Sequence, residues 1–473
     1  MYTQILPYKI NSAELFEHFV HLPYSVFFDS CRSVQGEGRY DIISALPCEV
    51  IKNPLDIANA ISTPFFKRGH LPNKHNLPFT IGAMGYFSYD MGRQLEKIPE
   101  IALNDIALPQ AIIGIYDWSI VVDHLEQKTY FTSLHDFDHP KIKNILDRLN
   151  RANGSESASD RETQVCSKIN SMPFSITKNF KSNMTREYYN NAFNEVKKNI
   201  VAGNCYQVNL AQRFTAEFTG STWEAYKLLR EKNPAPYAAF MQLDNASILS
   251  LSPERFLKVF IDSTEVQAEA RAQTSDTLRQ AQHTLTVETK PIKGTASRFT
   301  DPLQDKKSAD DLLASEKDRA ENTMIVDLLR NDISRSCIAG SVKVPKLCAL
   351  ESFSNVHHLV STVTGKLSPD KTAMDLLQAC FPGGSITGAP KIAAMEIIEA
   401  LEPHRRSLYC GSLFYADMNG NLDSNIAIRT VICDGYKMHL YAGGGIVYDS
   451  ECEKEYEETM IKIKKIMGLL SIR

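Results

Sequence analysis

Two apolar runs, YAAFMQL at 237–243 and ASILSLS at 246–252, stand back to back with only Asp244 and Asn245 between them. Short runs bounded by turn formers read as strands, and so small a gap joins them as an antiparallel hairpin. The first third of the chain repeats this pattern. YSVFFDS, YDIISAL, FTIGAMGYFSYD and AIIGIYDWSIVVDH are short β-branched and aromatic runs closed by Pro, Asp, Asn or Gly, and HLEQKTYFTSL turns and returns. Further on, strands mix with helical patterns. Thr185 caps a helix through Ala202, with Tyr189, Phe193, Val196 and Ile200 at helical spacing and Gly203 as its stop. TWEAYKLLREKN, 308–333, 372–380, 390–402 and the segment from Ser450 also read as helices. YQVNLAQRFTAEF, 356–367, 410–417, 425–434 and 437–442 read as strands. Antiparallel hairpins mixed with helices indicate an α+β chain, not a βαβ series.

Composition marks two interruptions. ANGSESASDRETQVCSKINS opens a polar, Ser-rich linker over 152–178, between an N-terminal region (1–151) and a larger region (179–473). DSTEVQAEARAQTSDTLRQAQH (262–283) separates the strand-like FLKVFI and TLTVETK. It is far longer than a hairpin loop needs, so it reads as an insertion at the hairpin tip.

A net charge of −4 gives no reason to expect nucleic acid or an anionic membrane as a partner. The ten cysteines include no C-x-x-C pair, which argues against a zinc site and suits a reducing compartment. The N-terminal MYTQILPYKINSAELF lacks the layout of a signal peptide, and no apolar run reaches membrane-spanning length. A cytoplasmic protein is the expectation.

The chemistry is less directly written. Lys293 sits in PIKGT (291–295). It is either a surface charge at a turn or an amine desolvated in a pocket, where a lowered pKa makes it a nucleophile. In DSECEKEYEETMIKIKK, Ser450 caps a helix with Glu453 at the capping-box position. Glu455 and Glu458 share a face one turn further in, and Glu458 is also spaced to pair with Lys462 as a solvated charge. SEKDRAENTMIVDLLRND takes Ser315 and Asp318 as its cap and sets Glu321 at the edge of an apolar stripe. A carboxylate there is either half-exposed or aimed into a pocket, and in the second case two such glutamates from separate helices suit a Mg²⁺ that keeps positions for water and a substrate oxygen.

FPGGSITGAPK (381–391) is Gly-rich, with Thr387 as a helix cap and Pro390 near the first turn. It is no phosphate loop, because no hydroxyl follows Lys391. YAGGGIVYDS (441–450) sets three glycines after a strand, for turns or for N–H groups aimed at a carboxylate. Arg429 reads as a buried arginine in a strand, in need of a carboxylate from protein or ligand. His357 and His358 precede a strand, where histidine is more often core or surface than catalyst. No glutaminase nucleophile, nucleophile elbow, dinucleotide fingerprint or Walker motif occurs.

In order, GNCYQVNLAQRF, SLSPERF, PIKGT, AENTMIVDLLRND, VHHLVST, FPGGSITGAPK, AIRT and AGGGIVYDS resemble the motifs of the chorismate-utilising enzymes. GAMGYFSYDMGR and GIYDWSIVVDH extend the likeness to nearly the whole chain. The resemblance implies the anthranilate synthase component I fold, with two packed, mainly antiparallel sheets and helices outside. It also implies Lys293 as nucleophile, because anthranilate-forming relatives carry alanine there and those that aminate chorismate at C4 carry lysine. Glu254 of SPERF is the implied acid for the departing C4 hydroxyl, with His358 beside it. Mg²⁺ falls to Glu321 and Glu458, with Glu455 in the outer shell.

Tyr409, Arg429, Gly443 and Gly445 match residues that hold the enolpyruvyl carboxylate, and Gly294 and Thr295 match contacts to the ring carboxylate. Gln207 stands where water-adding relatives carry a lysine base, which disfavours isochorismate or salicylate. The implied reaction turns chorismate and ammonia into 4-amino-4-deoxychorismate, toward p-aminobenzoate and folate. The ammonia would come from a separate glutamine amidotransferase subunit. Lys293 argues against the rival of anthranilate formation. Intact Glu254, Lys293, Glu321 and Glu458 argue against a silent scaffold or tryptophan-sensing paralogue. A pyridoxal-phosphate enzyme lacks a supporting phosphate loop. VFFDS (26–30) replaces the Leu-Leu-Glu-Ser run of tryptophan feedback, which leaves that pocket open.

Overall fold

A single alternation along four strands organises the molecule. Val26, Ile42, Ile248 and Ile432 point to one side of a sheet, while their neighbours Phe27, Ile43, Leu249 and Val431 point to the other. All eight are buried, so both faces of this sheet are covered. The structure, a computed structural model, describes residues 1–31, 38–52, 72–151, 172–261, 284–353 and 356–471.

The sheet has twelve strands, all paired antiparallel. N-terminal strands such as Val26–Asp29 and Tyr40–Ser44 continue directly into Tyr237–Gln242, Ala246–Ser252, Thr430–Asp434, Lys437–Ile446 and Gln207–Thr219. The hairpin at 237–252 forms in full, with Tyr237 opposite Ser252. A second sheet of ten strands runs from Ile292–Ser297 through Val356–Lys366, Leu285–Thr289, Arg255–Ile261, Leu422–Asn425, Ser412–Asp417, Gly82–Phe87 and Ala111–Tyr116 to Glu49–Ile51. Its Tyr86, Ile113, Leu257, Val363 and Phe414 meet the inner face of the first in one core. Both sheets therefore draw strands from both regions distinguished on sequence.

Helices Thr222–Lys232 and Cys452–Ser471 cover the outer face of the twelve-stranded sheet with Trp223, Tyr226, Ile463 and Ile466. The helix Glu316–Ser334 lies on strands Ile292–Ser297 and Val356–Lys366. This is the α+β, two-sheet architecture with outer helices that the sequence implied.

Several expectations need correction. The helix read over 308–333 is two, Pro302–Ala314 and Glu316–Ser334. Ser315 separates them with an extended backbone and caps the second by accepting from Asp318 N at 3.2 Å. The strand read over 425–434 is interrupted between Asn425 and Thr430. The strand read over 437–442 runs on to Ile446, so Gly443, Gly444 and Gly445 lie inside it and not after it. Ser450 makes no capping box with Glu453. Its hydroxyl donates to Glu455 at 2.7 Å, and Glu453 pairs with Arg186. Thr387 does not cap a helix either: it donates to Gly383 O at 2.7 Å, and Pro390 holds the cap position. The linker lies outside the described residues through 171, and its last part enters the strand Ser175–Ser182. The 262–283 insertion also lies outside them, and its flanks pair through Ile261 and Leu285.

Candidate active site

Glu254 and Arg429 owe their positions to the same topological step. After Ser252 the chain leaves the twelve-stranded sheet and enters the ten-stranded one at Arg255. After Asn425 it makes the reverse passage and rejoins the first sheet at Thr430. The two passages are stitched together. Ile426 N donates to Glu254 O at 3.0 Å, Leu251 N to Arg429 O at 3.1 Å, and the Ser252 hydroxyl to Ile426 O at 2.6 Å.

Burial raises the Glu254 carboxyl to about 7, against the opposing pull of Lys293 and a 3.3 Å hydrogen bond from the Ser385 hydroxyl. Arg429 takes a φ of 51°, in the left-handed region that is uncommon for a side chain-bearing residue. It therefore sits in the passage and not in a strand. Burial lowers its pKa, and among the described residues no carboxylate pairs with it; Glu254 acts on it only through space.

Lys293 is aimed by a bulge. On strand Ile292–Ser297 it lies opposite Leu359, while Thr295 lies opposite His358, so Gly294 is the extra residue. The slip reverses which face the following side chains take, and leaves Lys293 on the side of the fully buried Leu359. Gly294 makes the turn at a φ of 79°, and a β-carbon there would lie 3.0 Å from Asp318 Cβ. The Lys293 Nζ comes 3.5 Å from Ser385 O and within electrostatic reach of Glu321, Glu254, Lys462 and Glu458. Part of its side chain stays accessible, yet burial of the amine outweighs the carboxylates and lowers its pKa. Thr295 Oγ1 and His358 Nδ1 are 2.8 Å apart. Burial, aided by Arg429, drops His358 to about 4, so its ring is neutral near pH 7.

The three metal candidates come from two helices. Glu321 lies on Glu316–Ser334 and reaches Lys317 at 3.9 Å, and burial raises its pKa. Glu455 and Glu458 lie on Cys452–Ser471. Burial raises Glu455, whose Oε2 would sit 2.7 Å from any β-carbon on Gly444. Desolvation opposes ionisation of Glu458 as well, but the Lys462 ammonium at 2.7 Å prevails and lowers its pKa. Among the described residues no three His, Cys, Asp or Glu side chains converge closely enough to cage a metal. Glu321 and Glu458 both lie within electrostatic reach of Lys293 and Lys317, and Mg²⁺ needs only one or two carboxylates, with waters and substrate oxygens completing its shell, a demand these two fit.

The remaining candidates line the adjoining strands. Gln207 is fully buried with neither amide atom bonded among the described residues, and a β-carbon on Gly445 would lie 2.8 Å from its Nε2. Gly443 O accepts from Lys462 Nζ at 2.9 Å. Tyr409 is buried and stacks on Tyr441, rings 5.2 Å apart, and the adjacent Cys410 N donates to Ala427 O in the Arg429 passage at 3.0 Å. His357 belongs elsewhere, bonded to Ser352 at 2.8 Å and Asp305 at 3.1 Å. Lys391 pairs with Asp332 at 2.8 Å. The sequence reading missed Ser385, which touches Glu254 with its hydroxyl and Lys293 with its carbonyl. The Gly-rich loop around it was the available signal.

Buried carboxyl, desolvated amine, neutral imidazole and unpaired arginine together suit acid-assisted displacement on an anionic substrate. No helix among the described residues is long and apolar enough to cross a membrane. The chorismate binding enzyme family matches residues 29–283 and 274–468. The chain is 41% identical to aminodeoxychorismate synthase component 1 of Escherichia coli K12, across 98% of this chain and 97% of that one. It is 40% identical to the Salmonella typhimurium LT2 protein of the same name, across 98% and 96%. Among solved structures it is similar to anthranilate synthase component I from Streptococcus pneumoniae TIGR4, with a TM-score of 0.71, 31% identity and 91% and 92% coverage. The chain belongs to the chorismate-binding enzyme family.

Proposed function

We propose that this chain is an aminodeoxychorismate synthase component 1, converting chorismate and ammonia to 4-amino-4-deoxychorismate through a covalent adduct on Lys293. The observation that carries the reading is the meeting of Lys293 and Glu254 on Ser385, with burial pushing the amine down and the acid up. A neutral amine can attack, and a carboxyl near 7 can still hold its proton at neutral pH.

The Lys293 Nζ forms a bond to C2, the ring double bonds shift, and the C4–O bond breaks. Glu254 gives its proton to the oxygen, which leaves as water. Ammonia then bonds to C4, the double bonds shift back, and the C2–N bond breaks to free the neutral Lys293 amine, while the new ammonium at C4 returns a proton to Glu254. The net change is chorismate and ammonia to aminodeoxychorismate and water. Arg429 and the Tyr409, Gly443 and Gly445 surroundings would hold the enolpyruvyl carboxylate. Gly294 and Thr295 would meet the ring carboxylate, with His358 near the leaving hydroxyl. Glu321 and Glu458, backed by Glu455, are the residues that would hold Mg²⁺. When bound, the ion supplies positive charge to the ring carboxylate.

The name component 1 carried by the relatives supports a partner, which we take to be a glutamine amidotransferase that supplies ammonia in the cytoplasm.

The test is a product assay with chorismate, Mg²⁺ and ammonium. The native chain makes aminodeoxychorismate, and Lys293→Ala loses that product by at least about 10³-fold or diverts to anthranilate. Anthranilate from the native chain would overturn the reading. Absence of turnover even with an amidotransferase would favour a silent scaffold.

A further inference from the structure

Behind the site lies a buried cation that touches none of the proposed reacting groups. Arg406 is 1% exposed and pairs with Glu402 through Nε at 2.9 Å and Nη2 at 2.6 Å. Two further donors go to backbone carbonyls: Nη1 to Ile386 O at 3.1 Å and Nη2 to Asn209 O at 2.5 Å. Its guanidinium lies over the rings of Tyr89 at 4.8 Å and Tyr409 at 5.7 Å. Its own carbonyl accepts from Tyr409 N at 3.0 Å, and Glu402 accepts from Ala211 N at 2.9 Å.

Apart from Tyr89, these contacts fall on three segments that reach the site. Ile386 follows Ser385, which touches both Lys293 and Glu254. Asn209 and Ala211 belong to the strand that carries Gln207, and Tyr409 is the third. A buried ion pair is a weak source of stability, because desolvation offsets most of its attraction. A planar fork that reaches several fixed acceptors at once is, in contrast, a strong source of geometry.

We propose that Arg406, held by Glu402, is a positioning residue that ties the Ser385 loop, the Gln207 strand and the Tyr409 turn into one frame for the Lys293–Glu254 pair. The inference rests on the reading of Lys293 and Glu254 as reacting groups. Arg406 sets where their shared contact, Ser385, stands.

Arg406→Lys keeps the charge but loses the fork. Its ammonium-dependent kcat, per folded molecule by circular dichroism at the assay temperature, should fall about 10- to 100-fold, with a smaller rise in the KM for chorismate. A folded Arg406→Lys with native kcat would overturn the proposal. If that variant does not fold, Glu402→Gln, of nearly equal size, is judged by the same split. If neither folds, the pair is an element of the fold and the proposal fails. Lys293→Ala in the same assay separates the two ideas. Native turnover there defeats the nucleophile reading, whereas loss there beside an unaffected Arg406→Lys defeats only the positioning role.

Discussion

Two of the places where the molecule gathers charge treat it in opposite ways. Near the N-terminal strands a cavity of about 370 Å³ is lined by Phe28, Asp29, Arg39, Tyr237, Arg255 and Asp423 among others. Its aspartates and arginines are all matched: Asp29 to Arg230 at 2.6 and 3.1 Å, Arg39 to Asp123 at 2.7 and 3.0 Å, Arg255 to Asp423 at 3.0 and 3.1 Å. In the candidate active site, among the described residues, Arg429 has no paired carboxylate, Gln207 has no partner for its amide, and Lys293 has only a 3.5 Å contact to a carbonyl. Paired charge is compatible with a static core. Unpaired charge costs stability that a ligand or a reaction must offset, and so it marks where chemistry happens.

The sharpest way to break this contrast is to remove the unpaired groups. Lys293→Ala carries the largest expected loss. Glu254→Gln comes next, with a fall of about 10²–10⁴-fold in kcat. Glu254 donates a proton, so activity of the native chain declines as pH rises through about 7. Lys293 must be neutral, so activity also declines as pH falls below its lowered pKa. Glu254→Gln should lose the alkaline decline and keep the acid one. An alkaline limb that persists would assign that titration to another group.

Arg429→Lys is a smaller perturbation. The charge remains, but the bidentate fork for a carboxylate is lost. The KM for chorismate should rise by about 10-fold, the equivalent of one charge-assisted hydrogen bond, with little change in folding. An unchanged KM would mean that the empty side of Arg429 does not face substrate.

The fold was legible from the sequence because period-two runs and turn residues report a two-layer sheet directly. The boundaries that failed are those set by tertiary structure. Nothing local announces that the chain switches sheets between Asn425 and Thr430, so SNIAIRT read as one continuous strand. The site residues followed from family motifs more than from spacing. Period alone could not aim Lys293, because the bulge at Gly294 depends on its pairing with Leu359 and His358. Ser385 and Arg406 stayed unread for the same reason: each matters through partners distant in sequence, and neither stands in a pattern that names its chemistry.

The mildest effect on catalysis is expected on the paired side. The Asp29 side chain is wholly buried and accepts from Tyr226 Oη at 3.0 Å and Cys31 N at 2.7 Å besides its two bonds to Arg230. Arg230→Gln leaves that carboxylate hydrogen-bonded but without a countercharge. Removing one partner of a buried pair costs about 3 kcal/mol, so the melting temperature should drop measurably in a thermal scan. The turnover of the folded fraction should stay at the native value, because Arg230 contacts none of the site segments. A fall in kcat per folded molecule comparable to that of Arg429→Lys would break the contrast. It would mean that the N-terminal charges act on the active site through the sheets the two regions share.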